Sequence, residues 1–264
     1  MLVTALRDDP QIWRSVIRTG GHVGPTAGLA AGWAQANLIS IPRIYGRDFL
    51  LFCQRNPGPC PLLEVTAPGS REAKHLAPGS DLRTDLPRYR VFIDGVLFDE
   101  VTDVVGYWED DLVSFLIGCS FTFDHALRRN GIPVRHLEEN LNVPMYVTNR
   151  LCEPAGPFSA PLVVSMRPIP RGLVHRTIQV TSRYAGCHGA PVHIGEPALL
   201  GISDLAAPDF GDAVSIDDRE VPVFWACGVT SEVAACNAHL PFCITHSPGH
   251  MLITDWTDDQ IASF

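Results

Sequence analysis

The segment VPVFWACGVTSEVAACNAHLPFCITHSPGHMLITD, residues 221–255, is the most informative part of the chain, because it predicts two buried strands separated by one helix. Residues 221–226 and 241–245 are near-continuous apolar runs, and residues 232–239 between them have helical character. Strands that are buried on both faces of a parallel sheet have this unbroken apolar pattern. Ligands of such sheets bind outside the carboxyl ends of the strands. We therefore expect the residues that follow the two strands to lie on one rim.

Cys227 follows the first strand, at the point where the helix is predicted to begin. A helix N-terminus lowers the pKa of a thiol and stabilises nearby anions, so Cys227 is a candidate nucleophile or base. The alternative is a small residue chosen to pack beside Gly228. Backbone N–H groups and hydroxyls come next, and they predict an anion-binding turn made of Gly228, Val229, Thr230 and Ser231.

His246 and His250 follow the second strand and flank a Ser-Pro-Gly turn. Histidine is the side chain that most often transfers protons near neutral pH, so both are candidates for that role. A metal site would need a third ligand, for which Asp255 or His188 is available. The intervening proline prevents the helical face on which two histidines usually bind a metal. A purely structural role for the two residues is the remaining alternative.

Other candidate contacts to a substrate lie outside this stretch. Residues 118–125, GCSFTFDH, place glycine and small polar groups, among them Ser120, inside an apolar segment. Either a ligand or a packing crossover explains this pattern. A loop at His188 is a further candidate. Three arginines follow predicted strands, where a planar fork would bind a carboxylate, although each is also compatible with a surface position: Arg150, Arg167 and Arg183.

Local patterns predict the other secondary-structure elements. A capped helix begins at Asp9-Pro10, and Asp94-Gly95 is a two-residue hairpin signal. Further helices are predicted at residues 25–37, 110–131 and 188–200, and further extended segments at residues 48–53, 62–65, 143–148, 162–166 and 172–183.

These elements predict an α/β protein with two units. The larger is a three-layer α/β unit with a mixed or mostly parallel sheet, formed by residues 1–102 and 185–264. The smaller is an inserted α+β unit, residues 103–184. The chain of 264 residues is long enough for either one large domain or two ordinary ones.

Composition excludes several classes of function. A net charge of −9 argues against a broad nucleic-acid surface, and Lys74 as the only lysine argues against Schiff-base chemistry. The beginning of the chain has no secretory pattern, and no apolar stretch is long enough to cross a membrane. We therefore expect a cytoplasmic protein without a membrane partner. Nucleotide-binding glycine loops and the serine-hydrolase elbow are absent from the sequence.

Six motifs together resemble the bacterial hydro-lyase family that is related to D-glutamate cyclase. They occur in the family's order and span nearly the whole chain: PTAG at 25–28, QANL at 35–38, NPGPCP at 56–61, GCSFTF at 118–123, CGVT at 227–230 and THSPGHM at 245–251. The resemblance implies a two-part α/β architecture and a lyase that removes water. For the cyclase relatives it implies conversion of D-glutamate to 5-oxo-D-proline.

Glutamate cyclisation assigns expected roles to the candidate residues. An arginine would bind the α-carboxylate, and the turn at residues 228–231 would stabilise oxyanion charge. His246 or His250 would carry the proton from the amine to the leaving oxygen, with Cys227 as a second candidate base. This scheme requires no cofactor, although a divalent metal ion remains an option.

Two other functions remain open on the sequence alone. One is metal-assisted hydrolysis through the histidines, and the other is a non-catalytic module that binds small carboxylates. In each case the expected partner is a small-molecule amino or hydroxy acid, and the chain is compatible with a homo-oligomer.

Overall fold

The computed structural model describes residues 8–262. Within this range, one sheet has seven strands in the order β2-β5-β1-β10-β3-β4, with β11 also paired to β1. Every pairing in this sheet is antiparallel. Its strands are β1 (Trp33–Pro42), β2 (Leu62–Val65), β3 (Tyr89–Ile93), β4 (Val96–Val101), β5 (Leu112–Gly118), β10 (Cys243–His246) and β11 (Leu252–Thr257).

A second sheet of four strands has the order β6-β7-β9-β8, and its pairings are also antiparallel. Its strands are β6 (Met145–Leu151), β7 (Pro161–Pro170), β8 (His193–Ile194) and β9 (Glu220–Ala226). The helices are α1 (Pro10–Arg18), α2 (Arg43–Arg55), α3 (Phe121–Arg129), α4 (Arg135–Glu138), α5 (Val174–Thr181), α6 (Val229–Asn237) and α7 (Asp258–Ile261).

The mixed α/β content agrees with the predicted class, but the prediction of a mostly parallel sheet is wrong. The strand–helix–strand order of residues 221–246 is confirmed as β9, α6 and β10. However, β9 and β10 belong to different sheets, and each pairs only with antiparallel neighbours. Their apolar runs arise because both faces of each strand are covered, which an antiparallel sheet inside a layered molecule also allows. The two strand ends therefore do not share the rim of one sheet.

Several other element predictions are wrong for related reasons. The segment predicted as a helix at 25–37 is a loop that leads into β1, and the strand predicted at 48–53 lies within α2. Residues 112–118, expected to be helical, form β5, because their aromatic and β-branched side chains suit a strand. The extended segment predicted at 172–183 contains α5, and residues 188–200 form β8 and a short 3-10 turn.

Other local predictions are confirmed. Asp9 caps α1 by accepting hydrogen bonds from the backbone N–H groups of Gln11 and Ile12. The Asp94-Gly95 turn joins β3 to β4, and both of its residues have the positive φ that this turn requires. The strand predicted at 62–65 is β2. Local turn and capping chemistry was therefore a reliable guide here.

Helix α6 lies between the two sheets, since it contacts β7 of the second sheet and β1 of the first. Alanine side chains on α6 join an apolar cluster with β1 and α2, which includes Ile39, Phe49 and Ala234. Residues 8–262 contain no helix with the length and apolarity needed to span a membrane. The predicted division at residues 103–184 concerns independent folding units and stays a prediction.

Candidate active site

The turns that follow β9 and β10 are linked through α6. The hydroxyl of Thr245 donates a hydrogen bond of 2.7 Å to Glu232 Oε2, and Arg90 Nη1 lies 3.0 Å from Glu232 Oε1. Burial raises the pKa of Glu232, although Arg90 and Thr245 oppose that shift. Glu232 thus connects the helix that begins at the first predicted turn to the end of β10, where the second predicted turn begins.

The turn at Gly228 is shaped by close packing. A Cβ at Gly228 would overlap the side-chain amide of Asn37, whose Nδ2 donates to the backbone oxygens of Ile117 and Gly118. Most polar groups of the predicted anion-binding turn already have partners in the chain. The Ser231 hydroxyl donates to Gly228 O, and Thr230 Oγ1 accepts from Val163 N. The backbone N–H groups of Thr230 and Ser231 close the turn.

Cys227 is buried and its pKa is raised to about 11. Burial is the main cause, and it outweighs the opposing effect of the Val229 and Gly228 N–H groups and of Arg167. The expected lowering of this pKa by the helix N-terminus is therefore absent. The thiol stays protonated near neutral pH, and it lies in one apolar cluster with Cys119 and Met251.

Arg167 forms a buried network with the first turn of α3. Its Nε and Nη2 atoms bind Asp124 Oδ1 and Oδ2 at 2.7 and 3.1 Å, while Nη2 and Nη1 donate to the hydroxyls of Ser120 and Ser165. The guanidinium also lies over the ring of Phe123. Most N–H groups of the Arg167 guanidinium therefore already donate hydrogen bonds to other residues of the protein. Arg167 joins β7 to α3.

His136 lies on the other side of Asp124, with Nε2 3.2 Å from Asp124 Oδ2. The contact is too poorly aligned to be a hydrogen bond, and the buried Nε2 has no other hydrogen-bond partner within residues 8–262. The imidazole stacks on Phe121 at a centroid distance of 5.9 Å. Burial opposes ionisation of Asp124, but Arg167 and His136 outweigh it and hold its pKa below the usual value.

His246 is buried at the edge where β1 changes its partner from β10 to β11. Its Nδ1 lies 3.3 Å from Leu38 N and 3.1 Å from Leu38 O, so the ring takes the place of a strand partner. Burial lowers its pKa to about 4. Its Nε2 is buried and has no hydrogen-bond partner within residues 8–262. The ring is therefore neutral near pH 7 and has one unused nitrogen.

His250 is half-buried and lies on the same loop. Its Nδ1 is 3.1 Å from the carbonyl oxygen of Pro248, and because a carbonyl only accepts, Nδ1 must carry the proton. The neutral ring then presents the lone pair of Nε2. Burial lowers the pKa of His250. We call the adjoining cavity of about 420 Å³ the His250 pocket. Its polar lining is Arg90, Glu100, Asn142, Asp209, Asp212, Ser247 and His250.

A second cavity, of about 480 Å³, adjoins the first and is called the His136 pocket. The two share Pro25, Asn142 and Asp212 in their linings. The polar lining of the second is His22, Arg128, His136, Asn140, Asn142 and Asp212. Asn142 Nδ2 donates to Pro248 O, while its buried Oδ1 has no partner within the described residues. Asn142 thus lies between the two pockets, and each pocket is lined by at least one histidine.

The remaining predicted residues lie apart from these pockets. His188 Nδ1 is 2.9 Å from Gly58 O, and burial lowers the pKa of His188 to about 4. Arg150 and Arg183 are exposed, and Arg183 lines a separate surface cavity beside α5. A Cβ at Gly118 would overlap Gly186 O, which supports packing as the reason for glycine in the 118–125 motif.

The predicted third metal ligands have other partners. Asp255 receives both Nη atoms of Arg14, at 2.8 and 3.0 Å, and His188 is bound to Gly58. Across residues 8–262, no group of three histidine, cysteine, aspartate or glutamate side chains is arranged to hold a metal ion.

Sequence reasoning missed several residues of these pockets. Asp124 was inside a noted motif, but its pairing with Arg167 and His136 bridges distant parts of the chain. His136 follows an ordinary loop in the sequence, and nothing local marks it. Arg90 alternates along a hairpin strand like a surface residue, yet it binds Glu232 of α6. Only tertiary contacts reveal these groups.

Comparisons with known proteins place this chain in a family. Residues 113–255 match the family described as D-glutamate cyclase. A protein of Stutzerimonas stutzeri named "Putative hydro-lyase" is 59% identical over 99% of both chains. Proteins of the same description from Bacillus licheniformis and Geobacillus kaustophilus are each 58% identical, over 98% and 94% of both chains respectively. The chain therefore belongs to the D-glutamate cyclase family.

Proposed function

We propose that this protein is a hydro-lyase that removes water from a small carboxylate substrate. Family membership and the names of relatives at 58–59% identity support this reaction class. The specific reaction that we propose is cyclisation of D-glutamate to 5-oxo-D-proline. The expected partner is accordingly a small amino or hydroxy acid, met in the cytoplasm.

The reaction needs a group that moves protons between two substrate atoms. The amine attacks the γ-carboxyl carbon, so one C–N bond forms and one C–O bond breaks. The ammonium loses two protons, and the departing oxygen takes both and leaves as water. A neutral base within reach of the amine is therefore the first requirement.

The strongest support for the proposal is the state of His250, a neutral histidine with a fixed tautomer at the wall of a pocket. The carbonyl of Pro248 fixes its tautomer, and burial keeps the ring neutral, so Nε2 carries the lone pair of a histidine that lines the His250 pocket. A cavity of about 420 Å³ suits a small acid. In this scheme His250 accepts the proton of the amine and returns it to the leaving oxygen.

His246 and the turn at Cys227 act from behind the pocket in this proposal. Nδ1 of His246 donates to Leu38 O, so its unpartnered Nε2 is a second acceptor for a substrate N–H or O–H group in this proposal. The protonated thiol of Cys227 is a weak donor rather than a base, because its pKa is about 11.

Arg90 replaces the predicted arginines as the carboxylate clamp of the His250 pocket. Its Nε and Nη1 bind Glu100 and Glu232, and its side chain is 23% exposed. The Nη2 group is left to bind a substrate carboxylate. Arg167 is already paired with Asp124, and Arg150 and Arg183 lie on the surface. The scheme itself calls for no cofactor, because each step is a proton transfer or a nucleophilic attack.

Mass spectrometry of the reaction mixture tests the proposal. The purified protein is incubated with D-glutamate, L-glutamate and a panel of hydroxy acids, with and without a divalent metal. Loss of one water from a single substrate, abolished by His250→Gln and retained by His175→Gln, is the expected result. His175 is exposed on α5, far along the chain from either pocket. Unchanged masses across the whole panel would refute the proposal.

A further inference from the structure

The His136 pocket contains a set of groups that the scheme above leaves unused. Asp124 lies between Arg167 and His136, and all three side chains are at most 3% exposed. A buried carboxylate next to an imidazole is the arrangement that orients a histidine for proton transfer. His136 also lines a cavity of about 480 Å³.

The orientation of the His136 ring determines which nitrogen is available. Nε2 faces Asp124 Oδ2 at 3.2 Å, and an ionised carboxylate only accepts hydrogen bonds. The proton of the neutral ring therefore belongs on Nε2. Nδ1 then carries the lone pair and points away from Asp124. The poor alignment of the contact is common in catalytic pairs before a ligand binds.

Arg128 supplies a cation at the same cavity. It is exposed in the last turn of α3, and its side chain has no hydrogen bond or ion pair within residues 8–262. This differs from Arg90 and Arg167, whose forks bind carboxylates of the protein. A free guanidinium binds a ligand carboxylate bidentately. The buried Oδ1 of Asn142 adds an acceptor for an ammonium or a hydroxyl on the wall shared with the His250 pocket.

We propose that the His136 pocket is a binding and proton-transfer part of the active site, in which Arg128 binds a substrate carboxylate and His136 Nδ1 accepts a proton. Asp124 is the positioning residue, since it holds the ring and stabilises the imidazolium that forms. Arg167 fixes Asp124 from the opposite side. The transferred proton leaves the substrate ammonium or hydroxyl and rests on Nδ1, with no other bond changed in that step. This assignment rests on the proposed hydro-lyase function for its substrate class.

A binding measurement tests the pocket without any turnover. In histidine-labelled protein, the ring nitrogens of His136, assigned with His136→Gln, are followed by NMR while glutarate is added as a dicarboxylate probe. We expect an Nε2-protonated ring in the free protein and a shift of Nδ1 on addition of glutarate. Arg128→Gln should abolish that shift, and Arg129→Gln, one residue along the same helix and also exposed, should retain it. An Nδ1-protonated ring, or a probe that leaves His136 unmoved, would overturn the assignment.

The titration of His136 gives a second readout. Burial lowers its pKa, Asp124 and Glu138 raise it, and Arg167 lowers it. A carboxylate bound at Arg128 adds negative charge near the ring, so glutarate should raise the pKa of His136 in the wild type. In the Arg128→Gln variant, addition of glutarate should leave the pKa of His136 unchanged.

Kinetics separate this assignment from the proposed function. On any acid that the wild type dehydrates, His136→Gln should lower kcat by about 100-fold or more. Arg128→Gln should raise KM by about 10-fold with a smaller change in kcat, and Arg129→Gln should match the wild type. Asp124→Asn should change the pH profile of kcat while circular dichroism shows a folded protein.

Full activity of His136→Gln would refute the assignment and leave the hydro-lyase proposal intact. A wild type that dehydrates no acid would refute that proposal, while the NMR result still decides the pocket.

Discussion

Arg167 and Asp124 form a bidentate ion pair in the interior, with Nε–Oδ1 and Nη2–Oδ2 distances of 2.7 and 3.1 Å. The pair connects β7 of the four-stranded sheet to α3, which follows β5 of the seven-stranded sheet. Both charges are removed from water, so each depends on the other for solvation. The pair therefore links the four-stranded sheet to the helix that follows β5, beside the His136 pocket.

Removing the cation should destabilise the protein strongly. Arg167→Met leaves a buried carboxylate without its partner, for which we expect a loss of about 3–5 kcal/mol in the free energy of unfolding. Urea denaturation measures this change. Arg150→Met, at an exposed arginine, is the control and should cost less than about 0.5 kcal/mol. A similar effect of both variants would show that the pair contributes little.

Gly228→Ala should be poorly tolerated. The added methyl group would overlap the Asn37 amide, which is buried and bound to two backbone carbonyls. We expect a loss of about 1–3 kcal/mol from overpacking, seen as a lower melting temperature. Gly106→Ala has open space around its Cβ and is the matched control. Equal melting temperatures for the two variants would contradict the packing at Gly228.

Stability should fall in mild acid because of buried neutral histidines. Burial lowers the pKa of His246 to about 4, below the ordinary value near 6.5. The unfolded state therefore binds more protons between these two values, and the free energy of unfolding decreases as pH falls through that window. Above the ordinary value, this contribution no longer changes with pH.

His246→Gln removes this titration and should flatten the pH dependence of unfolding between about pH 6.5 and 4, by up to about 1.4 kcal/mol per pH unit. The comparison is made by urea denaturation across that range. His175→Gln, at an exposed histidine, should keep the wild-type slope. A slope that His246→Gln leaves unchanged would mean that the ring is accessible to protons in the folded state.

Cys227 should resist alkylation in the native protein. Its pKa of about 11 keeps the reactive thiolate rare at pH 7, and its side chain is buried. Cys152 is more exposed and should react with iodoacetamide first, although its pKa is also about 11. Peptide mass spectrometry gives the order of labelling. Rapid modification of Cys227 with loss of activity would instead favour a nucleophilic thiol.

Activity should extend to lower pH than an ordinary histidine permits. Burial lowers the pKa of His250, and a base works in its neutral form, so the acid limb of kcat/KM should lie below the usual histidine range. The pH–rate profile on the substrate identified by mass spectrometry measures this limb. An acid limb above about pH 6.5 would argue that another group is the base.

Local chemistry in the sequence predicted caps, turns and some of the elements, but not the partners of the strands. The Asp9 cap, the Asp94-Gly95 turn and the strand–helix–strand order around α6 each depend on neighbouring residues, and each is confirmed. Strand pairing depends on residues far apart in the chain. An apolar run indicates that both faces of a strand are covered, but it does not indicate whether the neighbouring strand is parallel or antiparallel.

The candidate site was predictable only where its residues follow a strand. His246 and His250 were found because a Ser-Pro-Gly turn separates them. His136 has no such signal, since its partner Asp124 and the cation Arg167 come from other segments. The pKa of Cys227 was expected to fall with the helix N-terminus, yet burial dominates. A sequence shows which groups are present, whereas burial decides their protonation.

Helix α6 connects strands that belong to different sheets, and this has a consequence for refolding. A partly folded molecule with only the seven-stranded sheet contains the His246 turn but lacks Arg167, the partner of Asp124. One with only the four-stranded sheet lacks both His246 and Asp124. During refolding, enzyme activity should therefore return only after both sheets have formed. Turnover then reports that the whole chain has folded.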